Sequence, residues 1–193
     1  MISFHMNDNT THRAAPLVVK LGGAALEDGA TCPDLWAALA ELHRSEPGGL
    51  VVIHGGGKIV DKRLAALGIV SERIEGIRIT TPEQVIEVVA TLAGLVNTRV
   101  VGFLQQAGAP AVGLTLTDGA LADVTRSKRY DFDPGCVGEV AGGRAELAET
   151  LLSAGFMPAI ATIGVSAEGE MLNVNADEAA AGVAAVLGAR ALI

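Results

Sequence analysis

Two segments of this chain repeat one pattern, in which a short all-apolar run ends in glycines and is followed by residues with helical spacing. Leu17-Val18-Val19-Lys20-Leu21 runs into Gly22-Gly23, and a helix-like segment from Pro33 to His43 follows. Leu50-Val51-Val52-Ile53 runs into His54-Gly55-Gly56-Gly57, after which Ile59, Val60, Leu64 and Leu67 recur at roughly helical intervals as far as Gly68. Short continuous apolar runs read as strands buried on both faces, so two successive strand-turn-helix units predict a parallel sheet with covering helices. The composition agrees: half of the 193 residues are hydrophobic but only 3% are aromatic, which points to a core of Val, Leu, Ile and Ala of the α/β class.

Further along, Ile74, Ile77 and Ile79 alternate with Glu75, Arg78 and Thr80, which suggests an extended piece bending at Gly76. Pro82 then opens a long helix, expected from Glu83 to Gln106, with Val85, Val88, Val89, Leu92, Leu95, Val96, Val100 and Leu104 as its apolar positions and Gly94 weakening its centre. That apolar stripe either covers the sheet or meets a partner subunit. Ala111 to Leu114 reads as another short strand, and the Gly-, Asp- and Thr-rich stretch from Thr115 to Gly143 as a β-hairpin or lid-like excursion with strands near Leu121–Thr125 and Val137–Val140. A helix near Glu146–Ala154, a strand at Pro158–Thr162, a turn at Glu168-Gly169, a helix from Asp177 to Leu187 and an opening strand at Ala191–Ile193 complete the expected order.

The net charge of -8 and pI of about 4.9 oppose unspecific attraction to nucleic acid or to anionic lipid. Cys32 and Cys136 form neither a CxxC pair nor a Cys/His cluster at zinc spacing, so neither a metal site nor a redox dithiol is expected. Residues 1–15 read as a polar tail without the apolar core of a signal peptide, and no uninterrupted apolar run reaches the length of a membrane span. A soluble, cytoplasmic protein with no nucleic-acid or membrane partner is the expectation.

Both glycine turns follow parallel strands and so fall at the carboxyl edge of the sheet, where open α/β folds bind ligands. Glycine lets a ligand approach the backbone, and amides at a helix start favour an anion. Neither turn matches G-x-x-x-x-G-K-[ST] or G-x-G-x-x-G; Ile59 stands where a phosphate-binding loop needs Ser or Thr after Lys58. Lys20 closes an apolar strand just before Gly22-Gly23, where its charge suits a transferring phosphoryl group. Arg78 has apolar neighbours and can grip a carboxylate with two parallel bonds. In Asn173-Val174-Asn175-Ala176-Asp177, two amides and a carboxylate crowd the start of a helix. One of them serves as the N-cap or Asp177 orients Lys20, and the sequence leaves both open.

Taken in order, Lys20-Leu21-Gly22-Gly23, His54-Gly55-Gly56-Gly57, Gly76-Ile77-Arg78-Ile79-Thr80, Gly113 through Asp118-Gly119, and Asn173-Val174-Asn175-Ala176-Asp177-Glu178-Ala179-Ala180 resemble the acetylglutamate kinases of the amino acid kinase family. The resemblance implies a three-layer αβα sandwich with a mainly parallel open sheet, phosphorylation of the side-chain carboxylate of N-acetyl-L-glutamate with MgATP as co-substrate on the route to arginine, and a homodimer. Residue by residue, it implies that Lys20 stabilises the transferring phosphoryl group and Asp177 organises the catalytic lysines. Gly55, Gly56, Arg78 and Asn173 would bind the substrate, and Gly22 and Gly23 the phosphate. It further implies that residues 16–193 form the acyl-amino-acid-binding lobe and that a nucleotide lobe with a second catalytic lysine follows position 193. These residues alone are therefore expected to have little or no kinase activity. The other reading is a non-catalytic module that binds an acylated amino acid.

Overall fold

Odd and even residues of the central strands enter two different cores. A computed structural model describes residues 14–27 and 32–193; of the expected polar tail, residues 1–13 lie outside the described residues. Strand β1 (Leu17–Leu21) leads through the short helix α1 (Gly23–Glu27) to α2 (Pro33–Ser45), β2 (Leu50–His54) and α3 (Gly57–Ala66). Leu17, Val19, Leu21, Leu50 and Val52 face one core, while Val18, Val51 and Ile53 face the other. A strand buried on both faces has no polar alternation, which is why these runs are apolar throughout.

The hairpin β3 (Arg73–Ile74) and β4 (Ile77–Arg78) turns through Glu75 and Gly76, both at positive φ. Thr81 then caps α4 (Pro82–Val89) with a reciprocal bond to Gln84, and Pro82 occupies the first turn, where its missing N–H costs nothing. The helix continues through a π-helical segment, Ala90–Val96, into α5 (Asn97–Gln106). By length and composition this stretch, Pro82–Gln106, is long and apolar enough to cross a membrane, although polar residues interrupt its apolar runs. In the fold it is a core helix: Val88, Leu92, Val96, Val100 and Leu104 are buried against the sheet together with Trp36, Leu39, Val60 and Leu64 of α2 and α3.

Beyond it lie β5 (Ala111–Thr115), β6 (Asp123–Arg126), β7 (Val137–Gly142), α6 (Glu146–Ser153), β8 (Met157–Ala161), β9 (Ile163–Val165), β10 (Met171–Val174), α7 (Ala176–Val186) and β11 (Ala191–Leu192). The main sheet has the order β11-β1-β2-β8-β5, every pair parallel. Its second face is covered by α6 and α7, through Ala148, Leu152, Ala179, Ala180 and Val183, and by the smaller sheet β6-β7-β10-β9. The architecture is thus the expected three-layer α/β sandwich with a mainly parallel sheet. The antiparallel pair β9–β10, around the turn at Glu168-Gly169, was not expected from the sequence.

Register aligns the strand ends. Leu21 lies beside His54, His54 beside Ala161, and Ala161 beside Thr115, so the segments that follow β1, β2, β8 and β5 all leave the sheet along one edge.

Candidate functional site

At that edge the two glycine turns part company. After β2, Gly55 and Gly56 line a cavity of about 200 Å³ with Arg78 of β4 and Asn173 of β10, so one turn and two strands meet there. Ligand pockets for drug-sized molecules start near 300 Å³, so this one suits a small metabolite. Gly22 and Gly23 are not among its lining residues, and Gly23 opens α1 instead.

Both glycines stand in tight places, and the backbone of Gly56 disfavours any side chain. A Cβ at Gly55 would lie 3.1 Å from Ala176 Cβ, and Gly56 has φ 155°, with Leu92 Cδ2 only 2.9 Å from where its Cβ would be. The turn is therefore pressed between the start of α7 and the π segment, with backbone in place of side chains on the cavity wall.

Arg78 is 5% exposed, unlike an ordinary edge arginine. Its Nη1 donates to Asp61 Oδ1 at 2.5 Å and to Ser71 Oγ, and its Nη2 donates to the Gly57 carbonyl at 3.0 Å. A guanidinium has more N–H donors than these contacts use, so it can still fork a carboxylate. Asp61 also receives Arg73 Nη2 at 3.1 Å, and Arg73 Nη1 donates to the Gly76 carbonyl. Partial burial raises the Asp61 pKa, but the bonds and charges of Arg78 and Arg73 outweigh it and hold the carboxyl below its ordinary value. One carboxylate shared by two guanidinium groups leaves the cluster with a net positive charge at the cavity, which favours an anionic ligand.

Asn173 lies on strand β10 and not at a helix start, as the sequence had suggested. The cap of α7 is Asn175, whose Oδ1 accepts from the amides of Asp177 at 2.9 Å and Glu178 at 3.3 Å. Asp177 is left to pair with Lys20, Nζ to Oδ1 at 2.9 Å. Both arrangements that the sequence left open are present, the cap from Asn175 and the ion pair from Asp177. Lys20 is absent from the cavity lining, and so is its partner Asp177, which directly follows the lining residue Ala176.

Sequence reasoning missed Asp61, Arg73 and Tyr130. The signal for Asp61 was its place on α3, one helical turn beyond the glycines. Arg73 and Tyr130 both line the cavity. Tyr130 arrives on the loop between β6 and β7, where Arg129 bonds Glu139 at 2.8 Å and Glu178 of α7 at 3.1 Å. Among the described residues no group of three or more His, Cys, Asp or Glu could hold a metal ion. Neither Cys32 nor Cys136 is in a disulfide.

The amino acid kinase family model matches residues 15–193. The chain belongs to the amino acid kinase family. It is 42% identical over 180 residues to an acetylglutamate kinase from Moritella profunda, covering 93% of this chain and 67% of that one. It is 39% identical to an acetylglutamate kinase from Vibrio cholerae, covering 94% and 68%. The chain thus spans about two thirds of the length of these curated relatives. Among solved structures, it is similar to N-acetylglutamate synthase from Neisseria gonorrhoeae complexed with coenzyme A and N-acetyl-glutamate, with TM-score 0.77 and 27% identity over 93% of this chain and 41% of that one. It is also similar to smu.665 from Streptococcus mutans UA159, with TM-score 0.73 and 29% identity over 92% of this chain and 70% of that one.

Proposed function

We propose that residues 16–193 bind N-acetyl-L-glutamate as the acceptor-binding lobe of an acetylglutamate kinase. The observation that carries this reading is the convergence of Gly55, Gly56, Arg78 and Asn173 on one small cavity beside the Lys20–Asp177 pair. Arg78 and the Asn173 amide take the α-carboxylate, and the amides of the glycine turn take the other end of the acid. In this reading Lys20 faces the side-chain carboxylate as its oxygens gain a phosphoryl group, and Asp177 holds the ammonium in place. Phosphoryl transfer needs little covalent help from protein, so positioning and charge neutralisation are the residues' whole contribution. MgATP is the phosphoryl donor in this reading. Lys20 would meet its transferring group, with the Gly22 and Gly23 backbone nearby: Lys20 Nζ is 4.0 Å from where a Gly22 Cβ would stand. A cytoplasmic homodimer acting in arginine synthesis completes the proposal.

Calorimetric titration with N-acetylglutamate, glutamate and N-acetylaminoadipate tests it. N-acetylglutamate is expected to bind more tightly than either analogue, and Arg78→Lys to weaken it by about tenfold or more, because an ammonium cannot fork a carboxylate. Failure of the folded wild-type chain to bind N-acetylglutamate overturns the reading.

A further inference from the structure

Behind the glycine turn lies a buried polar pair that the proposed chemistry does not use. His54 is fully buried and Asn97, the first residue of α5 after the π segment, is 6% exposed. His54 Nδ1 lies 3.0 Å from the Gly55 carbonyl, and Asn97 Nδ2 lies 2.9 Å from His54 Nε2 and 2.8 Å from the Ala159 carbonyl.

Both ends of this chain of bonds are carbonyl oxygens, which only accept. Asn97 Nδ2 must therefore donate to Ala159, which fixes its amide orientation, and its second hydrogen goes to His54 Nε2 at 2.9 Å, nearer than the Leu114 carbonyl at 3.4 Å. That nitrogen then carries no proton, and Nδ1 carries the one that the Gly55 carbonyl accepts. The imidazole is neutral, in the Nδ1–H form. A flipped Asn97 amide would set oxygen against oxygen at Ala159, and a proton on Nε2 would set donor against donor.

The Gly55 carbonyl and the Gly56 N–H belong to one planar trans peptide unit and point in opposite directions. Gripping the carbonyl from the core side thus turns the Gly56 N–H outward, on the side where Gly56 lines the cavity. A glycine on each side of this peptide gives it little resistance to rotation of its own. We propose that His54, held by Asn97, is a positioning residue that fixes the Gly55–Gly56 peptide and so aims the Gly56 amide at the bound acid. This rests on the reading of the cavity as an N-acetylglutamate site and adds the device that orients its glycine amides. The π segment takes part: Leu92 and Val96 pack where a Gly56 side chain would be, and Asn97 follows directly.

Two substitutions separate orientation from packing. The amide nitrogen of Asn falls near the place of the histidine Nδ1, whereas that of Gln falls near Nε2. His54→Asn keeps the donor to Gly55 and is expected to bind N-acetylglutamate within about threefold of wild type, while His54→Gln loses it and binds about tenfold or more weakly, the effect of roughly one hydrogen bond. If His54 merely filled space, the larger Gln would be the better replacement, so equal losses or the reverse order overturn the proposal. Nitrogen NMR of the labelled imidazole reads the tautomer without any ligand: the Nδ1–H form is expected, and an Nε2–H form overturns the proposal. If the wild-type chain does not bind N-acetylglutamate, the reading of the cavity falls; the tautomer, and a Gly56 amide resonance that moves in His54→Gln but not in His54→Asn, then decide whether the clamp exists.

Discussion

Lys20 Nζ lies 2.9 Å from Asp177 Oδ1, joining the end of β1 to the first turn of α7 across the edge of the sheet. The Lys20 side chain is 29% exposed and that of Asp177 76%, so water screens the pair strongly. Such pairs contribute about 0–1 kcal/mol to stability, far less than a buried one. Asp177→Asn is therefore expected to change unfolding free energy by no more than about 1 kcal/mol. Since Asp177 does not line the cavity, binding of N-acetylglutamate should stay within about threefold of wild type, a difference of less than 1 kcal/mol. Urea denaturation followed by Trp36 fluorescence, together with calorimetry, checks both. A large loss of either would mean that the pair holds the fold or the ligand, and not the transferring group.

The Asp61–Arg78 pair should behave differently. Arg78 is nearly inaccessible and its carboxylate partner about 40% exposed, so the pair lies between surface and interior. Removing the carboxylate leaves a buried guanidinium without its counter-charge. The cost of a fully buried pair is several kcal/mol, and the open side of Asp61 lowers it, so Asp61→Ala is expected to destabilise by about 2 kcal/mol. Carboxylate binding should weaken with it, because the guanidinium plane is no longer held. An Asp61→Ala chain as stable as wild type in urea denaturation contradicts this account.

The sheet and the glycine turn were legible because runs such as Leu50–Ile53 carry their burial in their letters. The long helix was legible too, but its π segment was not read, although the signal was present. Val88, Leu92, Val96, Val100 and Leu104 follow one another in steps of four. On an α-helix each such step drifts by about 40°, so the stripe would wind off the sheet unless a wider turn absorbed the drift. Of the candidate site, the glycine turn and Arg78 could be named because their residue types fit an acid ligand, and Asn173 only through the resemblance to acetylglutamate kinases. Asp61 and Asn97 could not, since their partners are distant in sequence and only folding brings them together. Strand β10 was hidden by Asn173 and Asn175, which locally favour turns and caps; pairing with β7 and β9 overrides that preference.

Gly113 tests the same network from the far side. A Cβ added to this residue of β5 would overlap Asn97 Oδ1 and press on Val101 Cγ2 at 3.2 Å. Strand β5 is the edge of the main sheet and is held from one side by its pairing with β8, so either the strand or the Asn97 side chain must shift, and a shift of Asn97 leaves His54 Nε2 and the Ala159 carbonyl without their donor. Overpacking costs about 1–3 kcal/mol and an orphaned buried acceptor a similar amount, and because an edge strand can take up part of the displacement, Gly113→Ala should destabilise by about 1–3 kcal/mol. Gly94 lies on the same helix and a Cβ there meets nothing within 4 Å, so Gly94→Ala is the control, with little or no loss. Thermal melts of the two variants against wild type check the difference. Equal melting temperatures would show that β5 has room which this packing denies.

The buried imidazole also sets a pH dependence. Burial disfavours the His54 cation and lowers its pKa below the ordinary 6.5, against the upward pull of its bond to the Gly55 carbonyl. Above that value the residue is neutral whether the chain is folded or unfolded, and pH has no leverage through it. As pH falls below 6.5, the unfolded chain binds a proton that the folded chain refuses, so stability declines until the folded-state pKa is reached. The slope for one such group approaches about 1.4 kcal/mol per pH unit. His54→Asn removes the titrating group while keeping the donor to Gly55, so the variant should lose less stability than wild type between about pH 7 and about pH 5. Urea denaturation across that range, read through Trp36, which is buried and stacked on Phe103 at 5.1 Å, measures the two slopes. Parallel slopes would mean that His54 takes up its proton in the folded state, and an imidazolium cannot accept from Asn97.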